Sequence, residues 1–190
     1  MSKNKHGTIV FGKGNNRLVL LHMNKPIRGG VIGMVKSRLF PFPIAIIIDE
    51  TPADDRDYSF ACLACAENGV APRILIDREL FYDIILGSVE ARVILLHELG
   101  HYHYQHLSQQ VKDRDATRMD CASAGFVDHN EIEADQFVAA YLGREKTIIG
   151  LQCLVERISK EYADYDEHSL QLAVDELKLR IATLEVTANE

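Results

Sequence analysis

Two histidines and a glutamate lie in a pattern that could bind a metal ion and activate a water molecule. His97, Glu98 and His101 form the sequence H-E-x-x-H. At about 100° per residue, His101 lies only about 40° around a helix from His97, so both imidazoles could reach one ion. Glu98 lies about 100° from His97, near enough to contact a metal-bound water. The motif also arises by chance, but the apolar run Val93-Ile-Leu-Leu leads directly into it, which is typical of a buried active-site helix.

A third protein ligand is needed, because two imidazole nitrogens leave a zinc ion short of ligands. The segment Glu131-Ile-Glu-Ala-Asp135 begins 30 residues after His101, which is enough chain to lay a second helix against the first. Glu131 and Asp135 are four residues apart and share a helix face, whereas Glu133 points about 200° away and is expected to be solvated. We predict that Glu131 is the third zinc ligand and that Asp135 accepts the outer N–H of a ligand histidine.

Other assignments of these residues are less consistent with the pattern. His103 and His106 would lie at about 240° and 180° from His97 on a continuing helix, so we expect both to be surface or packing residues. The favourable helix dipole alone would explain Asp128 and Glu131 as an acidic helix start. It does not explain the apolar residues at 134 and 137–140, which indicate a packed helix.

Apolar runs and turn residues predict the strands that precede the motif. We expect a hairpin from residues 8–11 and 18–22, a short helix at 33–39, and a buried strand at 44–49. Residues 58–66 and 73–77 are predicted to form a second hairpin, with Asn68-Gly69 at its turn.

Capping residues predict the helices. Asp77 and Gly87 bound a predicted helix at residues 78–86, and Ser88 begins a long one that runs to about residue 107. Gly100 inside this helix costs about 1 kcal/mol relative to alanine, which indicates close backbone packing. Further helices are predicted at residues 131–142, 147–162 and 169–184.

The last predicted helix has a narrow apolar seam. Its members are spaced alternately four and three residues apart: Leu170, Val174, Leu177, Ile181 and Leu184. We interpret the seam as packing onto the domain, with a homodimer contact as the alternative. The charged residues Asp175, Lys178 and Arg180 are expected to lie off the seam.

Composition limits the function classes. Hydrophobic residues make up 47% of the 190-residue chain and charged residues 26%, which excludes a disordered polymer. The net charge of −7 disfavours nucleic acid as a partner. We find no transmembrane run and no signal peptide, so we expect a soluble, cytoplasmic protein.

Cys62 and Cys65 form a lone C-x-x-C, which we interpret as reduced thiols on a buried strand.

The stretch L-H-E-L-G-H-Y-H-Y-Q-H at 96–106, followed by E-I-E-A-D-Q-F at 131–137, resembles the gluzincin metallopeptidases. It is most similar to the soluble peptidase unit of the HtpX/CAAX-prenyl-protease group, whose H-E-x-x-H is followed by a histidine and by E-x-x-A-D. The ImmA/IrrE-type peptidases, which share H-E-L-G-H-Y and a later E-x-E-A, are the second match. The resemblance covers residues 58–160. The chain departs from the first group by lacking a transmembrane helix, and from the second by lacking a proline after Leu142.

This resemblance implies an α+β, zincin-like fold. In such a fold a small mixed or antiparallel sheet packs on an active-site helix and a glutamate helix, and helices follow at the C-terminus. We predict a single metallopeptidase domain over residues 1–190, with an N-terminal β-rich part at 1–57, a catalytic core at 58–146 and C-terminal helices at 147–190.

The predicted function is that of a zinc-dependent endopeptidase, a hydrolase in which Glu98 is the general base toward a zinc-bound water. There are two alternatives. One is an ImmA/IrrE-like regulatory protease that cleaves a repressor, and the other is a non-catalytic, zinc-stabilised binding module. Affinity alone does not separate zinc from manganese or cobalt.

The substrate would add a strand to a sheet edge at residues 58–65 or 73–77. A second oxyanion donor could come from Tyr141, His129, Arg144 or His168.

Overall fold

The structure is a computed structural model that describes residues 6–14, 16–51, 61–64, 72–106, 121–161 and 167–186. The chain divides into two compact units, Met1–Glu98 and Leu99–Glu190, and the division falls inside one continuous helix. The first unit contains a mixed sheet and the second is helical, so the predicted α+β class is confirmed. This division does not test the predicted boundaries at residues 57 and 146.

The described strands form one mixed sheet in the first unit. They are β1 (His6–Lys13), β2 (Asn16–Met23), β3 (Val31–Lys36), β4 (Ile44–Ile48), β5 (Ala61–Ala64) and β6 (Arg73–Ile76). Their spatial order is β1-β2-β3-β4-β6-β5, with antiparallel neighbours except for the parallel pair β4 and β6. Strand β6 is therefore internal, and β5 ends the sheet on that side.

The predicted hairpins and the buried strand are confirmed in outline. β1 pairs with β2, β5 pairs with β6, and β4 buries Ile44, Ile46 and Ile48. Cys65 and the predicted turn at residues 68–69 lie outside the described residues.

The predicted short helix at residues 33–39 is wrong, because β3 occupies most of that segment. Ile32 and Val35 are buried, and β3 is hydrogen-bonded to β2 on one side and to β4 on the other. Pairing with both neighbours satisfies the backbone of a segment whose local sequence is ambiguous.

Two helices follow the sheet, and their ends follow the predicted capping residues. Helix α1 (Arg78–Leu86) is followed by Gly87 at φ 100°, a left-handed position that glycine adopts at little cost. The Gly87 N–H donates to the Asp83 carbonyl at 3.0 Å. Helix α2 (Val89–His103) begins after Ser88, whose Oγ accepts from the Ala91 N–H at 3.2 Å. Helix α2 is shorter than predicted at its C-terminal end.

The second unit contains α3 (His129–Leu142), α4 (Arg144–Glu161) and α5 (Glu167–Val186). Helix α5 packs on α3 and α4 and buries Val174, Leu177 and Leu184, so the apolar seam has intramolecular contacts as expected. The predicted homodimer stays a prediction. No helix in the described part of the chain combines the length and apolar content that crossing a membrane requires.

Candidate metal centre

The middle of α2 is buried on all sides. Every residue from 93 to 100 is buried, including His97 and Glu98, and His101 follows with 1% of its surface exposed. A helix that is apolar around its whole circumference is stable only when it is surrounded by protein, and the run Val93-Ile-Leu-Leu provides that surface here. The H-E-x-x-H residues are thus removed from solvent by the apolar sequence around them.

Helix α3 brings the predicted third ligand into the interior. Asp128 precedes α3, and its Oδ1 accepts from the Asn130 N–H at 3.1 Å, so the acidic helix start does provide an N-cap. Glu131 lies in the first turn and is only 1% exposed, which the helix dipole does not by itself explain. A Cβ placed on Gly100 would lie 2.9 Å from the Ala134 Cα, so the predicted close backbone packing at Gly100 is confirmed.

The structure brings His97, His101 and Glu131 together. One ligand atom from each lies within 4.8 Å of the others, and all three residues are buried. The His101 Nε2 and Glu131 Oε1 atoms are 3.4 Å apart. Two ligand atoms of a tetrahedral zinc site with bonds of about 2.0–2.1 Å lie about 3.3 Å apart, so this separation fits one shared ion. The group could therefore hold a metal ion.

A buried arginine from α5 holds the acidic residues of α3. Arg180 Nε donates to Asp135 Oδ2 at 2.8 Å, Arg180 Nη2 donates to Asp135 Oδ1 at 2.7 Å, and Arg180 Nη1 lies 3.2 Å from Glu131 Oε2. Burial by itself would lower the pKa of the Arg180 guanidinium. The charges of Asp135, Glu131 and Glu176 more than offset this effect, so the pKa lies above its ordinary value.

This arginine leaves an excess of negative charge around the candidate ligand. Arg180 contacts three buried carboxylates, those of Glu131, Asp135 and Glu176. With all three ionised, three negative charges and one positive charge give a formal charge of −2, which a divalent cation would neutralise. The donor set and the charge thus both fit a divalent metal.

The structure gives Asp135 an arginine partner that the sequence did not predict. Arg180 was expected only to lie off the apolar seam of α5, with no contact assigned to it, and the structure shows that only 6% of the residue is exposed. Glu176 and Arg180, four residues apart, were the available sequence signal for a helical ion pair. The predicted contact of Asp135 with a ligand histidine stays a prediction.

His106 lies beside the candidate ligand His101 and does not point away from it. Its Nδ1 is 2.9 Å from His101 Nδ1, and its Nε2 is 3.0 Å from Glu133 Oε2. His106 is buried and stacks on Tyr104, which agrees with the packing role expected for it. The expectation that it faces away from the candidate ligands is wrong because it assumed a continuing helix, whereas α2 ends at His103 and the chain turns through Gln105 at φ 60°. Glu133, which was expected to be solvated, is only 30% exposed.

Packing residues surround this turn. The ring of His103 lies 5.3 Å from that of Phe137, which agrees with the packing role expected for it.

Among the proposed oxyanion donors, His129 and His168 are exposed and Tyr141 is half-buried against Phe137. Burial, with a smaller contribution from Tyr104, raises the pKa of Tyr141. The Tyr141 hydroxyl therefore keeps its proton at neutral pH and can donate it in a hydrogen bond.

Glu98 contacts the terminal strand of the sheet. Its Oε2 accepts from the Leu63 N–H of β5 at 2.9 Å, and both residues are buried. The predicted general base is thus held by a main-chain group at the end of the sheet. No sequence signal linked Glu98 to Leu63, because 35 residues separate them.

Comparisons of the chain with protein-family models, with curated proteins and with solved structures gave no match.

Proposed function

We propose that the protein is a zinc-dependent endopeptidase of the gluzincin type, with a zincin-like arrangement of its sheet and helices. The observation that carries the proposal is the buried group of two imidazoles, one turn apart on α2, and the Glu131 carboxylate from α3. Two histidines and one glutamate are a donor set of catalytic zinc sites, which keep a fourth position open for water or substrate. A purely structural zinc site would ordinarily use four protein ligands, often including cysteine.

The residues of this chain would divide the chemistry between them. His97, His101 and Glu131 would hold the ion, which would supply Lewis acidity and a water molecule of lowered pKa when bound. Glu98 would accept a proton during attack on a peptide carbonyl and return it to the leaving amine. Arg180 would hold the Glu131 carboxylate in place, since Arg180 Nη1 lies 3.2 Å from Glu131 Oε2.

The position of Glu98 favours a peptide as substrate. Of the two sheet edges suggested by the sequence, β5 lies at the end of the sheet formed by the described strands, whereas β6 lies between β4 and β5. An extended peptide could add to β5 through main-chain hydrogen bonds. Because Glu98 accepts from the Leu63 N–H, a peptide on that strand would lie close to the proposed base.

One observation favours a second function, that of a non-catalytic binding module stabilised by zinc. The hydrogen bond from Leu63 gives Glu98 a structural role, so the presence of this glutamate does not require catalysis. A module of this kind would gain stability from zinc without hydrolysing peptides.

Glu98→Gln separates the two functions. The amide oxygen of glutamine can still accept from Leu63, so fold and zinc binding should persist, but the amide cannot act as a base. We expect about one zinc per chain in wild type and variant, and cleavage of an unfolded protein such as casein only by the wild type. Bound zinc with no cleavage of casein or of a random peptide library would favour the binding module. Equal cleavage by both proteins would contradict the proposed role of Glu98.

A further inference from the structure

We propose that His106 is a positioning residue, which fixes the ring nitrogen through which His101 binds the metal. The inference rests on the metal site of the proposed function, but it does not require peptide hydrolysis. It concerns His101, His106 and Glu133, which we call the imidazole chain.

The two nitrogens of the His101 ring have different neighbours. Nε2 lies 3.4 Å from Glu131 Oε1, on the side of the candidate metal. Nδ1 lies 2.9 Å from His106 Nδ1, and the two rings are inclined at 68°. Metal binding and the contact with His106 therefore use opposite edges of one buried ring.

The Glu133 end of the imidazole chain determines which ring nitrogens carry protons. His106 Nε2 is 3.0 Å from Glu133 Oε2, and a carboxylate only accepts hydrogen bonds, so His106 carries a proton on Nε2. With His106 in its neutral form, this proton leaves a lone pair at Nδ1. The 2.9 Å contact then places the neighbouring proton on His101 Nδ1. This leaves the lone pair of His101 on Nε2, the atom that faces Glu131.

The local fold holds His106 in this position. Helix α2 ends at His103, and the turn at Gln105 carries His106 back toward His101. The Tyr104 ring stacks on the His106 ring at 5.7 Å with an angle of 18° between the planes. A buried hydrogen-bond partner of a metal-binding histidine orients the ring and makes the ligand more basic.

Glu133 also has an exposed neighbour, which provides a control. His129 Nε2 lies 3.5 Å from Glu133 Oε1, and 79% of its side chain is exposed. His106 contacts the same carboxylate but is 5% exposed. A comparison of the two histidines separates the imidazole chain from a general effect of imidazoles near Glu133.

Zinc affinity of the full chain, measured by competition with a chromophoric chelator, tests the role of His106. We expect His106→Leu to weaken zinc binding by about 10–100-fold, because the acceptor for His101 Nδ1–H is lost. His106→Asn can place an amide oxygen near the position of Nδ1, so it should restore most of the affinity. His129→Gln should leave the affinity unchanged. Equal affinity of wild type and His106→Leu would overturn the proposal.

Long-range proton–nitrogen NMR of the zinc-loaded wild type gives a second readout that needs no variant. We expect His101 to bind zinc through Nε2 with its proton on Nδ1, and His106 to carry its proton on Nε2. Zinc bound through His101 Nδ1 would refute the imidazole chain. Absence of zinc binding would overturn both proposals, whereas zinc binding with these proton positions but no peptide cleavage would overturn only the peptidase.

Discussion

The two sides of the candidate metal centre are supported by different chemistry. On the Glu131 side, Arg180 brings a permanent positive charge to buried carboxylates from a distant part of the sequence. On the His101 side, His106 is only five residues away and brings an imidazole ring and a hydrogen bond. Charge compensation governs stability, because an uncompensated buried ion is costly, whereas the hydrogen bond governs proton position and ring orientation. We therefore expect disruption of the Arg180 side to affect folding and disruption of the His106 side to affect metal binding.

The largest effect should come from removing the charge of Arg180. In Arg180→Met the side chain keeps much of its apolar stem, but the carboxylates of Glu131, Asp135 and Glu176 lose their cation. We expect the free energy of unfolding to fall by about 3–5 kcal/mol, measured by urea denaturation of the metal-free protein.

Lys178→Met is the matched control for this variant, because Lys178 lies on the same helix with 59% of its side chain exposed and pairs only with half-exposed Asp175 among the described residues. Its loss should change stability by no more than about 1 kcal/mol. A loss in Arg180→Met no larger than that in Lys178→Met would contradict the role of Arg180 in compensating the buried carboxylates.

Replacing a carboxylate by its amide at two positions of α3 compares the Arg180 side with the His106 side. Asp135→Asn removes the charge from a buried carboxylate that accepts two hydrogen bonds from Arg180, and should cost about 2–3 kcal/mol of unfolding free energy. Glu133→Gln, with 30% of the side chain exposed, retains an oxygen that accepts from His106 and should cost less than about 1 kcal/mol. Both values come from urea denaturation, and a larger loss at residue 133 would contradict the contrast.

A smaller effect is expected at Gly100, where α2 packs closely against α3. The distance between these two helices matters for both sides of the candidate metal centre. A methyl group there would lie 2.9 Å from the Ala134 Cα and 3.2 Å from the Phe137 Cβ. Overpacking of this kind lowers the unfolding free energy by about 1–3 kcal/mol, and the better helix propensity of alanine offsets up to about 1 kcal/mol of this loss. We expect Gly100→Ala to lower the unfolding free energy by about 1–2 kcal/mol in thermal or urea denaturation. Increased stability would show that α2 and α3 can separate at no cost.

Most of the helices and strands could be predicted because their signals are local. Gly87 ends α1 and Ser88 begins α2 as their capping preferences indicate. Asp77 precedes α1 as predicted, although its side chain makes no capping hydrogen bond. The error at β3 has the opposite cause. Its strand conformation depends on pairing with β2 and β4, which local propensity does not include.

The residues that share a helix face could be predicted because their spacing follows from helix geometry, whereas their partners on other helices could not. His97 and His101 lie one turn apart on any α-helix, and Glu131 with Asp135 follows the same rule. His106 was misplaced because the end of α2 depends on a positive φ at Gln105, a conformation that non-glycine residues rarely adopt.

The amino-acid sequence by itself determined most of the strands and helices, including the H-E-x-x-H helix and the acidic helix that follows, since each depends on short-range periodicity and capping. Only the tertiary structure decided that Glu131 lies beside His101, that Arg180 is buried against α3, and that Glu98 contacts β5. These contacts join residues far apart in the chain. Burial and charge compensation select them, and no local pattern encodes either.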